Sequence, residues 1–404
     1  MANNNENKIL NVPNLRFMEF TEEWEIQPIK NIADFIGGGT PSSTNKAYWQ
    51  GTIPWISSSD IADDNIDDIA ISRYITEEAI SNSATKLCSA PVILIVSRVG
   101  VGKIALSREA ICTSQDFCNL INIKVNPTFL AYTLSRIMKR KSIEVQGTSI
   151  KGITSSEIQK IILCFPSLQE QRKISDLFQL IDKRIATQNK IIEDLQSLIS
   201  GLNDFLHLQV GGLSTSFEEL GTSYSGLSGK SGDDFGKGKP YITYLNIYSN
   251  SIVNEEQVDY VVIGDNEKQN TLLYGDLLFT LSSETPDEVG IGAVYLGESD
   301  KYYLNSFCFG LHMTATNKVY SPYLAYLVSN NVFRKFIYPL AQGSTRFNLQ
   351  KNDFMKKKFL LPTFESQKEI ARTLNALSSK LETERKLLLN YQGQKQYLLG
   401  AMFI

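Results

Sequence analysis

The residue types that most often carry chemistry are sparse in this 404-residue chain, which has five cysteines and two histidines. The cysteines are scattered without a Cys-x-x-Cys pair, so we expect them to be reduced and mostly buried. His207 and His312 are too few for the usual zinc sites or catalytic triads, and we predict a structural or surface position for each. The sequence therefore predicts no metal site on this chain.

One segment, Gly100-Val101-Gly102-Lys103, has the glycines and the lysine of a phosphate-binding loop. The Walker pattern requires Gly five residues before Gly102 and Ser or Thr after the lysine, but Ser97 and Ile104 occupy these positions. We therefore predict a tight turn between strands, in which Lys103 remains a candidate for a phosphate contact. The sequence also lacks the Gly-x-Ser-x-Gly motif of hydrolases and the Asn-Pro-Pro-aromatic segment of amino-methyltransferases.

Basic side chains occur beside hydroxyl and amide groups at two corresponding places, residues 136–151 and residues 334–346. Such groups suit contacts with phosphates and base edges, and the polar loop at residues 57–60 adds further hydroxyls. A solvated helix end followed by a turn explains the same residues and stays open as the alternative. The candidate DNA contacts are Ser57, Ser58, Lys103, Lys139, Arg140, Lys141, Thr148, Ser149, Lys151, Arg334, Lys335, Ser344, Thr345 and Arg346.

Composition and charge limit the class of protein. The chain is 42% hydrophobic and 21% charged, which is typical of a globular protein with ample core in two or three domains. Its net charge of −3 argues against a free-standing, strongly basic nucleic-acid binder, although local basic patches or a partner that supplies charge remain compatible. No apolar run is long enough to span a bilayer, and the polar N-terminus does not resemble a signal peptide, so we expect a cytoplasmic protein without a membrane partner.

The helices and strands that must position the candidate DNA contacts form an internal repeat. Pro166 and Gln171 recur as Pro362 and Gln367, at a constant spacing of 196 residues. Other segments correspond as well: residues 100–104 with 290–294, 117–118 with 307–308, and 129–135 with 323–329. A repeat of this length indicates two copies of one domain, each followed by a long helical segment.

Runs of β-branched and aromatic residues predict the strands of each copy. We predict strands at Ile53–Ile56 and Val92–Val96 in the first copy, and at residues 241–245 and 276–280 in the second. Helices are predicted to begin at Phe129 and, correspondingly, at Tyr323.

Long helical patterns follow both prolines. Ser167 and Glu170 fit a capping box, and apolar residues then recur about every 3.5 residues, as in a coiled coil. Because a pseudo-two-fold axis between repeats makes the two helices antiparallel, we expect an antiparallel coiled coil. The predicted seam is Ile174, Leu177, Ile181, Ile191, Leu195, Leu198 and Leu202 in the first helix, and Ile370, Leu377, Leu387 and Leu398 in the second.

The predicted fold class is therefore α+β, with two repeated mixed α/β domains, each followed by a long helix. The predicted boundaries are a disordered N-terminus at 1–14, a first domain at 15–165, a first helix at 166–208, a second domain at 212–361 and a second helix at 362–404.

These features resemble the specificity (S) subunit of a type I restriction–modification system. The resemblance rests on Trp24-Glu25 with Gly-Gly-Thr-Pro at 38–41, on Ile53-Pro54-Trp55-Ile56, on Gly-Val-Gly-Lys at 100–103 and on the repeated Pro-x-x-x-x-Gln. It covers nearly the whole chain, and the two-copy arrangement is its most specific part. The second copy lacks Gly-Gly-Thr-Pro and has Tyr-Ile-Thr-Tyr at 241–244, which suggests a different half-site.

The resemblance implies two target-recognition domains that each read half of a split sequence in double-stranded DNA, with the helices as a measuring spacer. It implies two methyltransferase (M) subunits as partners and, in the restriction form, two translocase–endonuclease (R) subunits. S-adenosylmethionine, ATP and magnesium would belong to these partners, and the chain itself would be non-catalytic. Two alternatives stay open: a self-contained DNA-modifying or nucleotide-hydrolysing enzyme, and a coiled-coil scaffold that binds only proteins.

Overall fold

The computed structural model describes residues 11–146 and 152–404, and the chain divides into two units. The first unit joins the chain up to Asn189 to the segment Leu387–Ile404, and the second unit is Lys190–Lys386. Both units contain strands and helices, as the sequence predicts. Residues 11–14 are ordered rather than disordered, because the Asn11 carbonyl accepts a hydrogen bond from the Trp24 amide and Pro13 is buried. Residues 1–10 of the predicted disordered segment lie outside the described residues.

In its described residues, the first unit contains two four-stranded sheets and one strand pair. Its strands are β1 (Glu25–Pro28), β2 (Asp34–Gly37), β3 (Ile53–Ile56), β4 (Arg73–Ile75), β5 (Leu87–Cys88), β6 (Val92–Val96), β7 (Ile104–Ser107), β8 (Ile111–Thr113), β9 (Phe117–Ile121) and β10 (Ile162–Phe165). Its helices are α1 (Glu77–Ser81), α2 (Pro127–Gln146), α3 (Ser155–Gln159) and the first part of α4 (Leu168–Gln209), with 3₁₀ turns at Ile29–Asn31, Lys46–Trp49 and Ser58–Asp60. The sheet orders are β2-β9-β6-β7 and β4-β3-β8-β5, and β1 pairs antiparallel with β10.

Strand β6 lies at the centre of the first unit. All five of its residues are buried, because its β-branched side chains contact neighbours on both faces while β7 and β9 pair with its two edges. The predicted strands at Ile53–Ile56 and Val92–Val96 are thus confirmed. The helix predicted from Phe129 begins two residues earlier, at Pro127, a residue that is favoured in the first helical turn.

The turn between β6 and β7 is the glycine-lysine segment noted in the sequence. Gly100 has φ 84° and Gly102 has φ 108°, a left-handed conformation that glycine adopts without steric cost. The prediction of a tight turn between strands is confirmed, and both glycines serve the backbone of that turn.

The second unit contains one four-stranded sheet, two three-stranded sheets and one strand pair. Its strands are β11 (Leu213–Thr215), β12 (Gly221–Ser225), β13 (Phe235–Ile242), β14 (Val258–Val261), β15 (Leu277–Thr280), β16 (Ser282–Ser283), β17 (Gly292–Val294), β18 (Tyr303–Leu304), β19 (Cys308–Met313), β20 (Ala341–Gln342), β21 (Phe347–Leu349) and β22 (Phe359–Leu361). Its helices are α5 (Phe217–Leu220), α6 (Tyr244–Ser249), α7 (Ser321–Ser329), α8 (Asn331–Ile337), α9 (Lys351–Lys356) and most of α10 (Phe364–Ala401), with 3₁₀ turns at Gly232–Asp234, Pro286–Glu288 and Tyr338–Leu340. The sheet orders are β12-β19-β15-β17, β14-β13-β18 and β16-β21-β20, and β11 pairs with β22.

The strand predicted at residues 241–245 is only partly correct. Strand β13 ends at Ile242, and Thr243 caps helix α6 by accepting a hydrogen bond from the Asn246 amide (3.2 Å). The hydroxyl cap outweighs the strand preference of the aromatic Tyr244, so the chain turns into a helix there. The strand predicted at residues 276–280 is confirmed as β15, one residue shorter.

The repeated glutamine performs the same structural task in both copies, which we call the glutamine clamp. Gln171 donates to the Pro166 carbonyl (2.8 Å) and accepts from the Asn126 amide (2.9 Å), next to the first residue of α2. Gln367 donates to the carbonyls of Pro362 and Lys318 (both 2.8 Å) and accepts from the Tyr320 amide (2.8 Å), just before α7. Both side chains are buried. Each clamp therefore joins the start of a long helix to the helix of its own domain.

The predicted capping box at the start of α4 is half correct. The Glu170 amide donates to the Ser167 hydroxyl (3.3 Å), as a capping box requires. The Glu170 carboxylate, however, accepts two hydrogen bonds from the Arg16 guanidinium, both of 2.7 Å. A bidentate ion pair of this kind is stronger than the reciprocal bond to a backbone amide, so it holds the N-terminal segment against α4 instead.

The buried stripe of α4 differs from the predicted seam. Ile174 is buried and Ile181, Leu195 and Leu202 are half-buried, but Ile191 and Leu198 are exposed, so their predicted inner position is wrong. The predicted seam residue Leu177 is half-buried as well. Further inner side chains lie four residues after Ile174, Ile181, Gln188, Leu195 and Leu202, at Phe178, Ile185, Ile192, Ile199 and Leu206. The sequence offers two apolar stripes, and the i, i+4 spacing follows the 3.6-residue turn more closely than the predicted i, i+3 spacing.

The inner stripe of α10 also contains residues four positions after those of the predicted seam. Ile370 is buried, and Leu377, Leu387 and Leu398 are half-buried. Leu374 and Leu381, each four residues after an inner position of the predicted seam, are buried as well.

Candidate nucleic-acid interface

In the first domain, the predicted hydroxyl loop is held by an arginine. Ser57 and Asp60 form a capping box around the 3₁₀ turn, and the Arg73 guanidinium donates to the Ser57 hydroxyl (2.7 Å) and pairs with Asp60. Arg73 also lies over the Trp55 ring, at 4.6 Å from its centroid. The Ser57 hydroxyl therefore has intramolecular partners, while Ser58 is half-buried beside it.

The lysines beside the glycine turn face an acidic loop of the same unit. Lys103 donates to the Ile61 carbonyl (3.0 Å) and lies 3.4 Å from Asp63, and Lys139 pairs with Asp64 at 2.9 Å. Arg140 is exposed on α2 and Lys141 is half-buried. Among these cations, Arg140 is the one whose exposure best suits a phosphate contact. The predicted contacts Thr148, Ser149 and Lys151 lie outside the described residues.

A buried ion pair joins three helices of the first unit. Lys395 of α10 lies 2.5 Å from the Asp182 carboxylate of α4, and each side chain is only 6% exposed. Tyr132 of α2 donates to the same carboxylate (2.7 Å), and Lys395 also donates to the Asp64 carbonyl (2.6 Å). The sequence offered no signal for this cluster, because its members are far apart in the chain.

In the second domain, the predicted DNA contact Arg334 has three backbone partners. Its guanidinium donates to the carbonyls of Asp287 (2.7 Å), Val289 (2.8 Å) and Gly290 (2.6 Å). Burial lowers the pKa of the Arg334 guanidinium. These bonds tie helix α8 to the loop before β17, which is a structural task, whereas the neighbouring Lys335 is exposed.

Replacement of Arg334 with Ala is expected to lower the free energy of unfolding by about 1–3 kcal/mol, because three carbonyls lose their donor and two of them belong to the buried residues Val289 and Gly290. Urea unfolding of the purified chain measures this change. Lys335→Ala is the matched control, since it removes a neighbouring cation that is exposed, and it should leave stability within about 0.5 kcal/mol. Equal unfolding curves for the two variants would contradict the structural role of Arg334.

The predicted contacts Ser344, Thr345 and Arg346 lie at the exposed tip of a hairpin. Strands β20 and β21 pair antiparallel, and β21 pairs on its other edge with β16. The three side chains are exposed, and Arg346 lies over the Phe307 ring. The hairpin tip therefore presents two hydroxyls and a guanidinium to solvent.

Sequence reasoning missed a second basic projection of the same domain. Lys237 and Lys239 are exposed on β13, and Gly236 (φ 91°) and Gly238 (φ 104°) alternate with them. The register with β14 shifts between Phe235 and Lys239, so the segment bulges from the sheet. The signal that could have found it is the alternation Gly-Lys-Gly-Lys, since a glycine-rich basic strand allows close approach to a phosphate backbone.

The cysteines and histidines are structural. Cys88, Cys112, Cys118 and Cys308 are buried and Cys164 is half-buried, and burial raises the pKa of the Cys88 thiol to about 11. His207 contacts the Asn203 carbonyl (2.8 Å) and the Tyr323 hydroxyl (2.9 Å), and burial lowers the pKa of its imidazole. His312 contacts the buried Asp276 carboxylate (2.9 Å), whose pKa burial raises.

No group of three or more His, Cys, Asp or Glu in residues 11–146 and 152–404 could hold a metal ion. No helix in the same ranges is both long and apolar enough to cross a membrane.

An exposed apolar stripe follows the second part of α4. Its members recur at seven-residue intervals, at Ile191, Leu198 and Phe205, and the last two are 52% and 56% exposed. The sequence predicts Ile191 and Leu198 to lie inside a coiled coil. An apolar stripe of this length on the exposed face of a helix is a candidate contact surface.

The fold and these surfaces define a class: a chain with two similar mixed α/β blocks, each with exposed basic residues and each followed by a long helix. The family model of the type I restriction modification DNA specificity domain matches residues 21–197 and residues 221–391. The chain therefore belongs to this family and carries its domain twice.

Similar proteins carry the same description. The type I restriction enzyme MjaIX specificity subunit of Methanocaldococcus jannaschii is 33% identical over 186 residues, which cover 44% of this chain and 42% of that protein. The EcoR124I/EcoR124II specificity subunit of Escherichia coli is 32% identical over 194 residues, 45% of each chain. In these two alignments the chain spans less than half the length of the relatives. A putative MjaX specificity subunit of M. jannaschii is 24% identical over 427 residues, covering 95% of this chain and 93% of that protein.

Solved structures share the fold at low sequence identity. The S subunit of a type I restriction–modification system from M. genitalium matches with a TM-score of 0.53 and 16% identity, over 97% of this chain and 99% of that chain. A second structure, reported for complex assembly and conformational transition of the type I R-M system, matches with a TM-score of 0.60 and 14% identity, over 95% and 97%. At these identities the likeness concerns the fold alone.

Proposed function

We propose that this chain is the non-catalytic, sequence-specific DNA-binding subunit of a cytoplasmic type I restriction–modification complex. Each recognition domain would read one half of a bipartite target in double-stranded DNA. The single observation that carries the proposal is the duplication, because a specificity domain present twice provides two readers on one chain. The exposed basic residues differ between the copies, with Arg140 on α2 in the first, and Lys237 and Lys239 on β13 and Arg346 at a hairpin tip in the second. Different exposed side chains on a repeated scaffold suit two different half-sites.

We further propose that α4 and α10 pair antiparallel as the spacer between the two domains. Contacts inside each unit support this arrangement. In the first unit, Asp182 in the early part of α4 meets Lys395 near the end of α10. In the second unit, Leu202 and Leu206, late in α4, contact a core that contains Ile370 and Leu374 from the early part of α10. A helix of 42 residues is about 60 Å long, a little under two turns of B-DNA.

The catalytic steps would belong to partner subunits. Two methyltransferase subunits would bring S-adenosylmethionine, and two translocase–endonuclease subunits of the restriction form would bring ATP and magnesium. The exposed stripe Ile191, Leu198 and Phe205 supports docking of a partner helix on α4. A partner that contributes basic surface would also explain how a chain of net charge −3 can hold DNA.

Replacement of Leu198 or Phe205 with Asp is expected to abolish or strongly weaken co-purification with the methyltransferase subunit, because a charge would be buried at the proposed interface. Stability of the chain alone should change little, since both side chains are exposed. Gln196→Asp is the matched control on the same helix, as Gln196 is exposed and outside the stripe. Unchanged co-purification of both stripe variants would remove this face from the interface.

A binding assay separates the proposal from the enzyme alternative. Labelled S-adenosylmethionine and labelled ATP are each titrated against the isolated chain, and the proposal expects no saturable binding. The methyltransferase complex, assayed in parallel, should bind S-adenosylmethionine. Saturable binding by the isolated chain would favour a self-contained enzyme.

A methylation map separates the proposal from the scaffold alternative. Mapping of methylated sites in cells that express the complex should give a bipartite motif, whereas a scaffold without DNA-reading domains would leave the motif independent of this chain.

A further inference from the structure

Corresponding phenylalanines of the two copies differ in burial. Phe117 begins β9 in the first unit and is buried, with 3% exposure, in a cluster of apolar side chains. Its sequence counterpart Phe307 immediately precedes β19 in the second unit and is 56% exposed. The ring is therefore part of the core in the first copy and exposed to solvent in the second. An exposed large aromatic side chain on a loop of a binding domain points to contact with a ligand.

The backbone around Phe307 is fixed even though its ring is exposed. The Phe307 amide donates to the Asn305 side-chain carbonyl (2.9 Å), and its carbonyl accepts from the Leu281 amide (2.9 Å). The next residue, Cys308, is buried. The ring therefore projects from an anchored turn, which limits the entropy that a ligand contact would cost.

Arg346 approaches this ring from a separate element. Its guanidinium carbon lies 5.7 Å from the Phe307 ring centroid, within the range of a cation–π contact. The hairpin that carries Arg346 closes tightly at Gly343, which has φ 144°, and a Cβ there would lie 2.0 Å from the Arg346 carbonyl oxygen. Glycine at position 343 thus lets the hairpin hold Arg346 near Phe307.

We propose that Arg346, positioned by the Phe307 ring, reads a guanine in the major groove of the half-site recognised by the second domain. This inference rests on the proposed function. The guanidinium of Arg346 has only hydrogen-bond donors, two of which point in parallel. Guanine presents two acceptors, N7 and O6, at the spacing of these two donors. Adenine presents one acceptor and one donor there, so it cannot satisfy two donors. Phe307 acts as a positioning residue, because contact with its ring restricts the orientation of the guanidinium before DNA arrives.

The test is the methylation motif of cells that express the complete complex with wild-type or variant chain. Wild type should give a bipartite motif with at least one G·C pair in the second half-site. In Arg346→Ala, one such pair should become degenerate, with a loss of base preference of about 10- to 100-fold, while the first half-site stays unchanged. Phe307→Ala should relax the same position, and Phe307→Tyr should restore its preference because the ring is kept. Lys301→Ala, an exposed lysine of the same domain without an assigned role, is the control.

The outcomes distinguish this inference from the proposed function. A wild-type complex without any bipartite motif would overturn the proposed function itself. A bipartite motif that keeps its G·C pair in Arg346→Ala, or a second half-site without any G·C pair, would overturn only the guanine contact. If Arg346→Ala yields no methylation, Arg346→Gln provides the test. Glutamine presents one donor and one acceptor in place of the two donors of the guanidinium, so the guanine contact requires a changed base preference at that position.

Discussion

Replacement of Lys395 with Met is expected to lower the free energy of unfolding by about 3–5 kcal/mol. Lys395 and Asp182 are each 6% exposed, so the substitution leaves a buried carboxylate without its cation. The Tyr132 hydroxyl remains as a donor to Asp182, but one neutral hydrogen bond does not offset the desolvation of a charge. Methionine replaces the apolar stem of lysine as far as Cε and lacks only the ammonium group, so the loss of stability reports the charge more than a cavity. Urea unfolding of the full chain measures it.

Two further variants test whether the loss of stability comes from the Lys395–Asp182 ion pair. Lys368→Met removes an exposed lysine of the same helix, which pairs with exposed Glu365 at 3.1 Å, and should cost no more than about 1 kcal/mol. Asp182→Leu in the Lys395→Met chain should recover much of the lost stability, because the unpaired charge is removed. A Lys395→Met chain as stable as Lys368→Met would contradict the role of this ion pair.

Replacement of Gln367 with Leu is expected to lower the free energy of unfolding by about 3–4 kcal/mol, and Gln171→Leu by about 2–3 kcal/mol. Each substitution removes a buried amide and leaves backbone groups without partners. The difference between the variants follows from the number of bonds, since Gln367 contacts two carbonyls and one amide, whereas Gln171 contacts one of each. Leucine has a similar volume, so the effect of a cavity is small.

Hydrogen exchange identifies where these variants lose stability. Faster exchange is expected at the first turns of α10 and α7 in Gln367→Leu, and at the first turns of α4 and α2 in Gln171→Leu. Gln394→Leu, an exposed glutamine of α10, is the control and should change neither exchange pattern. An exchange pattern that is unchanged in the clamp variants would mean that the repeated glutamine is not what joins each long helix to its domain.

The sequence predicts the repeated scaffold well because local patterns determine it. The β-branched run at Val92–Val96 cannot be accommodated at the surface, and the glycines at 100 and 102 cannot continue a strand, so strand and turn follow from the residues alone. Two residues of the predicted α4 seam, Ile191 and Leu198, are exposed, because two adjacent stripes of this helix are apolar. Only contact with a partner helix decides which stripe lies inside, and a single sequence does not contain that contact.

The candidate site was harder to predict because a basic residue looks the same in sequence whether it binds backbone carbonyls or solvent. Arg334 and Lys103 have intramolecular partners that are distant in the chain, so their burial was invisible to sequence reasoning. Arg346 and Lys237 are exposed, whereas Arg334 and Lys103 are half-buried, and the residue types alone do not show this difference. The exposed ring of Phe307 was also hidden, since its sequence counterpart Phe117 is a core residue.

The central claim is that each recognition domain reads one half of a bipartite DNA target. The most direct measurement replaces residues 15–162 with the corresponding region of a related chain and maps methylated sites in cells that express the complete complex. We expect one half of the motif to change to that of the donor protein, while the other half stays as in wild type. An unchanged motif, or a change in both halves, would contradict it.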